Sequence, residues 1–124
     1  MSDALDQDAA ERYFRAFERW DLDTAASLIA DDAVEGRPQS GERFVGRENI
    51  VGMLHALPSE PTIRWRSIRG GGRVWIAEGI VDYGEGPVHL IGVAELEDGK
   101  MVVADYYFAD PFEPVEWRAP FRES

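Results

Sequence analysis

The chain changes rhythm at Pro61. Before it, apolar residues recur every three or four positions; after it, they alternate with polar ones. The first spacing is that of an amphipathic helix, the second that of a half-buried strand. Over residues 3–20, Leu5, Ala9, Tyr13, Phe14, Phe17 and Trp20 form one apolar stripe, and Asp3 is placed to cap the helix start. Asp21 caps a second, short helix over LDTAASLIA, with Leu22, Ala25, Ala26 and Ile29 turned inward. DDAVEGRP, 31–38, reads as a short strand running into a turn, and Arg43 to Val45 as a brief second one. A third helix runs from Arg47 to Leu57 and stops before Pro58.

Four longer strands follow, over 62–69, 73–83, 88–97 and 101–110. Turns separate them: GGG at 70–72, Gly84-Glu85-Gly86-Pro87, and Asp98-Gly99, the strongest hairpin signal in the chain. Gly79 and Gly92 lie inside strands, where glycine marks a bend or bulge. The tail PFEPVEWRAPFRES is interrupted by proline and reads as an irregular arm. Three helices followed by an antiparallel meander give an α+β fold. A curved antiparallel sheet wrapped around the first helix would bury the stripe and leave a cone-shaped hollow.

At 124 residues the chain makes a single domain, 1–124. Four Trp, four Tyr and six Phe can wall a cavity as readily as fill it. The net charge is −11, from 24 acidic and 13 basic residues, and the basic cluster RWRSIRGGGR holds only four Arg. That balance argues against nucleic acid as a partner. It also disfavours phosphate- or carboxylate-bearing substrates and points to a small apolar molecule. There is no cysteine, hence no disulfide and no thiol nucleophile. Two histidines without metal-ligand spacing predict no metal site. MSDALDQDAAERY is acidic and has no long apolar run, so neither a signal peptide nor a membrane span is expected, and the cytoplasm is the expected location.

Three stretches, RYFRAFERWDLDTAASLIADDAV, GERFVGRENI and GVAELEDGKMVVADYYFADPF, resemble the nuclear transport factor 2-like superfamily from about residue 8 to residue 112. The likeness is to its SnoaL-like and limonene epoxide hydrolase-like members. It implies a conical barrel with an internal apolar pocket, a homodimer through the sheet, and no cofactor. Against the ketosteroid isomerases of the superfamily, Tyr13 matches the oxyanion tyrosine, while Arg37 stands at the base position and Gly92 at the second aspartate position. Against limonene epoxide hydrolase, ADYYFAD resembles that enzyme's RDYFD motif and places Asp105 at its aspartate, with Ala104 at the arginine. Asp82 matches the second aspartate if the strand shifts by one residue. Glu35 and Arg37 fall where a tyrosine and an asparagine hold the water. The SnoaL-like cyclases need one acid/base carboxylate or histidine in the pocket.

The residues themselves yield the same short set of candidates. Asp105 lies among Val102, Val103, Ala104, Tyr106, Tyr107 and Phe108, an unusual place for a carboxylate. Alternation puts Val103, Asp105 and Tyr107 on one face and Ala104, Tyr106 and Phe108 on the other. If the first face lines the cone, Asp105 is an acid/base group with a raised pKa; if not, it is a surface residue. Tyr13 is a possible donor to a substrate oxygen, or a plain member of the stripe. Asp82 either shares chemistry with Asp105 or serves the glycine turn that follows it. His89, on a strand, is a possible proton shuttle. Glu35 and Arg37, at the mouth, either touch a ligand or pair with each other. Phe17, Met53, Trp65, Trp75 and Tyr107 are candidate ligand-binding walls. The expectation is a cofactor-free enzyme that cyclises, isomerises or hydrates a small apolar substrate. The alternative is a non-catalytic ligand-binding or dimeric assembly domain.

Overall fold

The structure, a computed structural model, describes residues 2–123, with side chains from residue 6 onward. The predicted Asp3 cap and the Leu5 side chain lie outside those limits. Helix α1 spans Ser2–Glu18, α2 Leu22–Ser27 and α3 Arg47–His55. The strands are β1 Ile29–Arg37, β2 Glu42–Val45, β3 Thr62–Gly71, β4 Val74–Asp82, β5 Pro87–Glu97 and β6 Lys100–Ala109. A 3₁₀ turn over Glu116–Phe121 ends the chain. No helix among the described residues is long and apolar enough to cross a membrane.

The predicted elements form, with two differences. The second helix is shorter than its pattern: Asp21 caps it through Thr24 N–H at 3.2 Å, but Ile29 already opens β1. The sheet is also mixed rather than wholly antiparallel. Its order is β2-β1-β6-β5-β4-β3, and β1 runs parallel to β6, with Gly36 beside Asp105. That pairing joins strands with more than sixty residues between them, so it leaves no mark in local sequence periodicity. The Asp98-Gly99 turn forms as predicted, both residues taking positive φ of 52° and 79°.

The curved, unclosed sheet holds α1 in its concavity. Ala9, Ala10, Tyr13, Phe14, Ala16 and Phe17 are buried there, and the helix packs on β3, β4, β5 and β6. Each large apolar side chain so buried stabilises the fold by roughly 1.5–3 kcal/mol. Two polar ties fix the helix ends. Buried Asp6 accepts the Gly99 N–H at 2.9 Å, which anchors the helix start to the β5–β6 turn. At the other end β3 carries a register shift between Trp65 and Ser67, and the Trp65 N–H donates to Glu18 Oε2 at 2.9 Å. The Trp65 indole N–H reaches back to the Phe14 carbonyl at 2.7 Å.

Gly92 shows how tightly the helix sits. A Cβ there would lie 2.6 Å from the Tyr106 ring and 3.2 Å from Phe14. Gly52, in α3, has open space around it. Gly92→Ala is therefore expected to lower stability by roughly 1–3 kcal/mol through overpacking. Gly52→Ala should raise it by roughly 0.5–1 kcal/mol, because glycine is the poorer helix former. Urea unfolding of both variants beside the parent chain checks the opposite signs.

Candidate functional site

Between α1, α3 and the open end of the sheet lies a cavity of about 60 Å³. That is well above the roughly 10–15 Å³ one water needs. Phe17, Trp20, Met53, Leu54, Ile63, Trp65, Leu90 and Phe108 give it apolar walls. Tyr83 stands half-exposed on its lining. Besides the Tyr83 hydroxyl its main polar groups are Glu35, Arg37 and Tyr106.

Glu35 and Arg37 are two residues apart on β1, so their side chains leave the same face of the strand. Glu35 is 1% exposed. Arg37 donates through Nε at 3.0 Å and through Nη2 at 2.7 Å, both to Glu35 Oε2. Oε1 has no bond to any described residue. Among those residues no sealed-in polar atom lacks a partner, so Oε1 opens to the cavity. The guanidinium is surrounded by rings, 5.9 Å from the centroid of Phe44, 5.6 Å from Tyr106 and 5.2 Å from Phe108. At those distances the ring faces attract the cation.

Burial pushes the Glu35 carboxyl above the usual carboxylate range. Arg37 pulls it part of the way back, and the Asp105 charge, across the sheet, raises it further. The Tyr13 and Tyr106 hydroxyls are 2.7 Å apart. Burial, the largest cause for both, and the Glu35 charge raise the two phenols well above their ordinary value. Both stay neutral and able to donate. Tyr106 lines the cavity, and Tyr13 stands behind it, buried in the stripe.

Gln39, in the loop after β1, holds the rim. Its amide Nε2 donates to the Phe108 carbonyl and its Oε1 accepts the Phe108 N–H, each at 2.5 Å. One side chain thus makes the two-way exchange of a strand residue with the end of β6.

Of the predicted residues, Phe17, Glu35, Arg37, Met53 and Trp65 meet at this cavity, and Tyr13 adjoins it through Tyr106. The others lie elsewhere. Asp105, with Val103 and Tyr107, is on the outer face of the sheet. Buried Met101 would, by strict alternation, bring that set inward. A register shift places Leu96 opposite Met101 but Glu95 opposite Val103, leaving Val102 as an extra residue. The bulge reverses the parity, and Ala104, Tyr106 and Phe108 turn inward instead. The Asp105 carboxylate rests over Gly36, in the space a Cβ of that residue would take. Tyr107 faces out opposite Ile91, and His89 faces out because its neighbour Leu90 faces the core. Asp82 caps its turn, accepting from Gly84 N–H at 2.7 Å and Gly86 N–H at 3.2 Å. Trp75 points inward, but at the far end of the sheet, where its indole donates to the Gly72 carbonyl at 3.1 Å.

Tyr106, Trp20, Tyr83 and the Gln39 clamp were not predicted as site residues. The signal for Tyr106 lay in its partner: Gly92 stands opposite it on β5 and leaves room for its ring beside α1. Among the described residues no three of His, Asp or Glu are gathered as metal ligands would be.

Comparison with known proteins agrees with this architecture. The model of the SnoaL-like domain matches residues 10–104. A solved NTF-2-like protein of unknown function from Burkholderia xenovorans LB400 is 32% identical, with a TM-score of 0.89 over 98% of this chain and 95% of that one. A candidate ketosteroid isomerase from Kribbella flavida superposes with a TM-score of 0.88 at 19% identity, over 98% of this chain and 90% of that one. An LEH-like epoxide hydrolase of M. tuberculosis superposes with a TM-score of 0.71 at 21% identity, over 87% and 85%. At those two identities the likeness is one of fold. No curated protein matches the sequence. A matched family model covering most of the chain, with a cone-shaped fold to go with it, makes this chain a member of the SnoaL-like domain family.

Proposed function

We propose that the chain is a cofactor-free acid/base enzyme acting on a small, mostly apolar molecule with one oxygen function. One observation carries the reading: a carboxylate 1% exposed, at an apolar cavity, with both guanidinium bonds on a single oxygen. Arg37 holds Oε2 and leaves Oε1 toward the cavity as the proton acceptor. A raised pKa brings a carboxyl nearer the working pH of a general base. The polar groups of the lining centre on Glu35, Arg37 and Tyr106, with the half-exposed Tyr83 also on the lining, so the substrate's oxygen belongs beside them and its apolar body among the rings.

The step balances within the site. Glu35 Oε1 takes a proton from a carbon next to the substrate's carbonyl. The electron pair left behind moves onto the carbonyl oxygen, where Arg37 and the Tyr106 hydroxyl stabilise it. Protonated Glu35 then returns the proton to a different carbon, which is an isomerisation. Where the substrate carries a second carbonyl, the carbanion instead adds to that carbon, the C=O π pair moves onto its oxygen and takes the proton back from Glu35, which closes a ring. The same base with water as proton source serves epoxide opening: hydroxide adds to carbon, the C–O bond breaks, and the epoxide oxygen is protonated. The fold relatives support this range, since those compared with the chain include a candidate isomerase and an epoxide hydrolase. The reading includes a homodimer formed through the outer face of the sheet, where Ile80, Ile91, Val103 and Tyr107 are each 37–40% exposed.

Turnover of a panel of small cyclic ketones and epoxides tests the chemistry. Glu35→Gln is expected to lower kcat by about 10²- to 10⁴-fold, the usual range for a lost acid/base group, while an apolar ligand still binds. A Glu35→Gln variant as active as the parent chain removes Glu35 from the mechanism.

The titration has its own readout. Carbon-13 NMR of the Glu35 carboxyl should show a midpoint above the ordinary value of about 4.3. Because the folded carboxyl has the higher pKa, the fold disfavours its ionised form. Stability contributed at Glu35 is therefore lost as pH rises from the ordinary carboxylate range through the raised midpoint. Replacing Arg37 with Met should move that midpoint further up, since the guanidinium is what pulls it down.

A further inference from the structure

The last fourteen described residues pose a problem that the fold of one chain does not solve. Every described residue from Asp110 to Glu123 is exposed, and the 3₁₀ turn packs against no helix or strand of its own chain. Yet the arm is not built like a solvated tail. Phe112 is 80% exposed, Trp117 74% and Phe121 85%. Large aromatic side chains laid open to water on a short segment mark an interaction surface. Pro111, Pro114 and Pro120 stiffen the segment and keep it from adding to the sheet as a strand.

We infer that this arm crosses to a second copy of the chain and packs on the outer face of that copy's sheet, so that a dimer exchanges two arms. The inference rests on the sheet-mediated homodimer proposed above and names what fastens it. On the outer face Ile80, Ile91, Val103 and Tyr107 are taken up where the two sheets meet; beside them Val74, 42% exposed next to Glu95, is left as the apolar contact for the arm. The face also supplies charge. Glu95 and Asp105 face outward there and have no ion-pair partner among the described residues. Arg118 and Arg122, on the arm, have none either. In a chain of net charge −11 two copies repel, and the arm also carries Glu113, Glu116 and Glu123, so what opposes the repulsion is the local placing of Arg118 and Arg122 against those two carboxylates. The area is adequate. Aromatic side chains bury about 150–250 Å² each, so six rings from two arms cover about 900–1,500 Å² on one side of the contacts alone. A stable interface needs roughly 1,200–2,000 Å² in total.

Sedimentation velocity on the full chain, on a chain ending at Asp110, and on Arg118→Glu/Arg122→Glu tests the inference, with circular dichroism confirming the fold of each. The full chain is expected to be a dimer. Removing the arm should weaken dimerisation by at least about 100-fold, the scale of losing several buried aromatic anchors. The double charge reversal should weaken it as well. Acrylamide quenching of Trp117, read as the difference from Trp117→Phe, should show shielding that appears only as the dimer forms. A shortened chain that dimerises as tightly as the full one overturns the arm and leaves the sheet dimer standing. A full chain that remains a monomer at about 100 μM overturns both. Trp117 shielded equally in the monomer places the arm on its own chain and overturns the exchange.

Discussion

The pocket exists because a sheet bends around one helix and stops short of closing on it. That bend must be filled on the inside, and α1 fills it with buried side chains of mixed size: Ala9, Ala10 and Ala16 beside Tyr13, Phe14 and Phe17. Aromatic edges meet along the stripe, with Tyr13 and Phe17 at 5.1 Å and Phe14 and Trp65 at 5.4 Å between centroids. At the open end the filling runs out, and the walls enclose a space instead of a core. The bulge in β3 belongs to the same constraint. Bending costs a ladder hydrogen bond at Trp65, and Glu18, held by Arg15 at 2.9–3.0 Å, takes over the freed N–H.

The electrostatics of the site follow from where β1 lies. A strand at the sheet edge would keep Glu35 wet. Inserted between β2 and β6, it carries the carboxylate into the interior, where an unpaired charge would cost several kcal/mol. Arg37 offsets much of that cost from the same strand, two residues away. The two side chains therefore keep their mutual position regardless of how the helices shift. Three rings stand beside the guanidinium and attract it, while the carboxylate end of the pair is buried.

Much of this was legible in the sequence. The Asp21 cap, the Asp98-Gly99 turn, the helical stripe and the four long strands follow from local chemistry, and local chemistry is what a sequence displays. Glu35 and Arg37 were legible as a pair because two positions on one strand share a face. Asp105 shows where such reading fails. Its strand alternates cleanly, but one bulged residue, Val102, decides which half of the alternation is inside. That bulge is set by register against β5, a relation between distant segments. The same holds for the parallel pairing of β1 with β6, and for Tyr106, whose place at the cavity depends on Gly92 opposite. Asp82 and His89 were candidates by residue type and by family resemblance, neither of which fixes where a side chain points. One is engaged by its own turn and the other faces away from the core.

The Gln39 amide gives the cavity a property that its walls do not have. Because a primary amide presents one donor and one acceptor with the spacing of a peptide group, it serves as a detached unit of backbone, lengthening the ladder past the last residue of β1. The strand end that carries Phe108 is thus tied down by a loop residue that does not itself line the cavity. Variation in that loop would move Phe108, one wall of the cavity, while Glu35 and Arg37 stay where β1 holds them, so that wall and the ion pair are set by different segments of the chain.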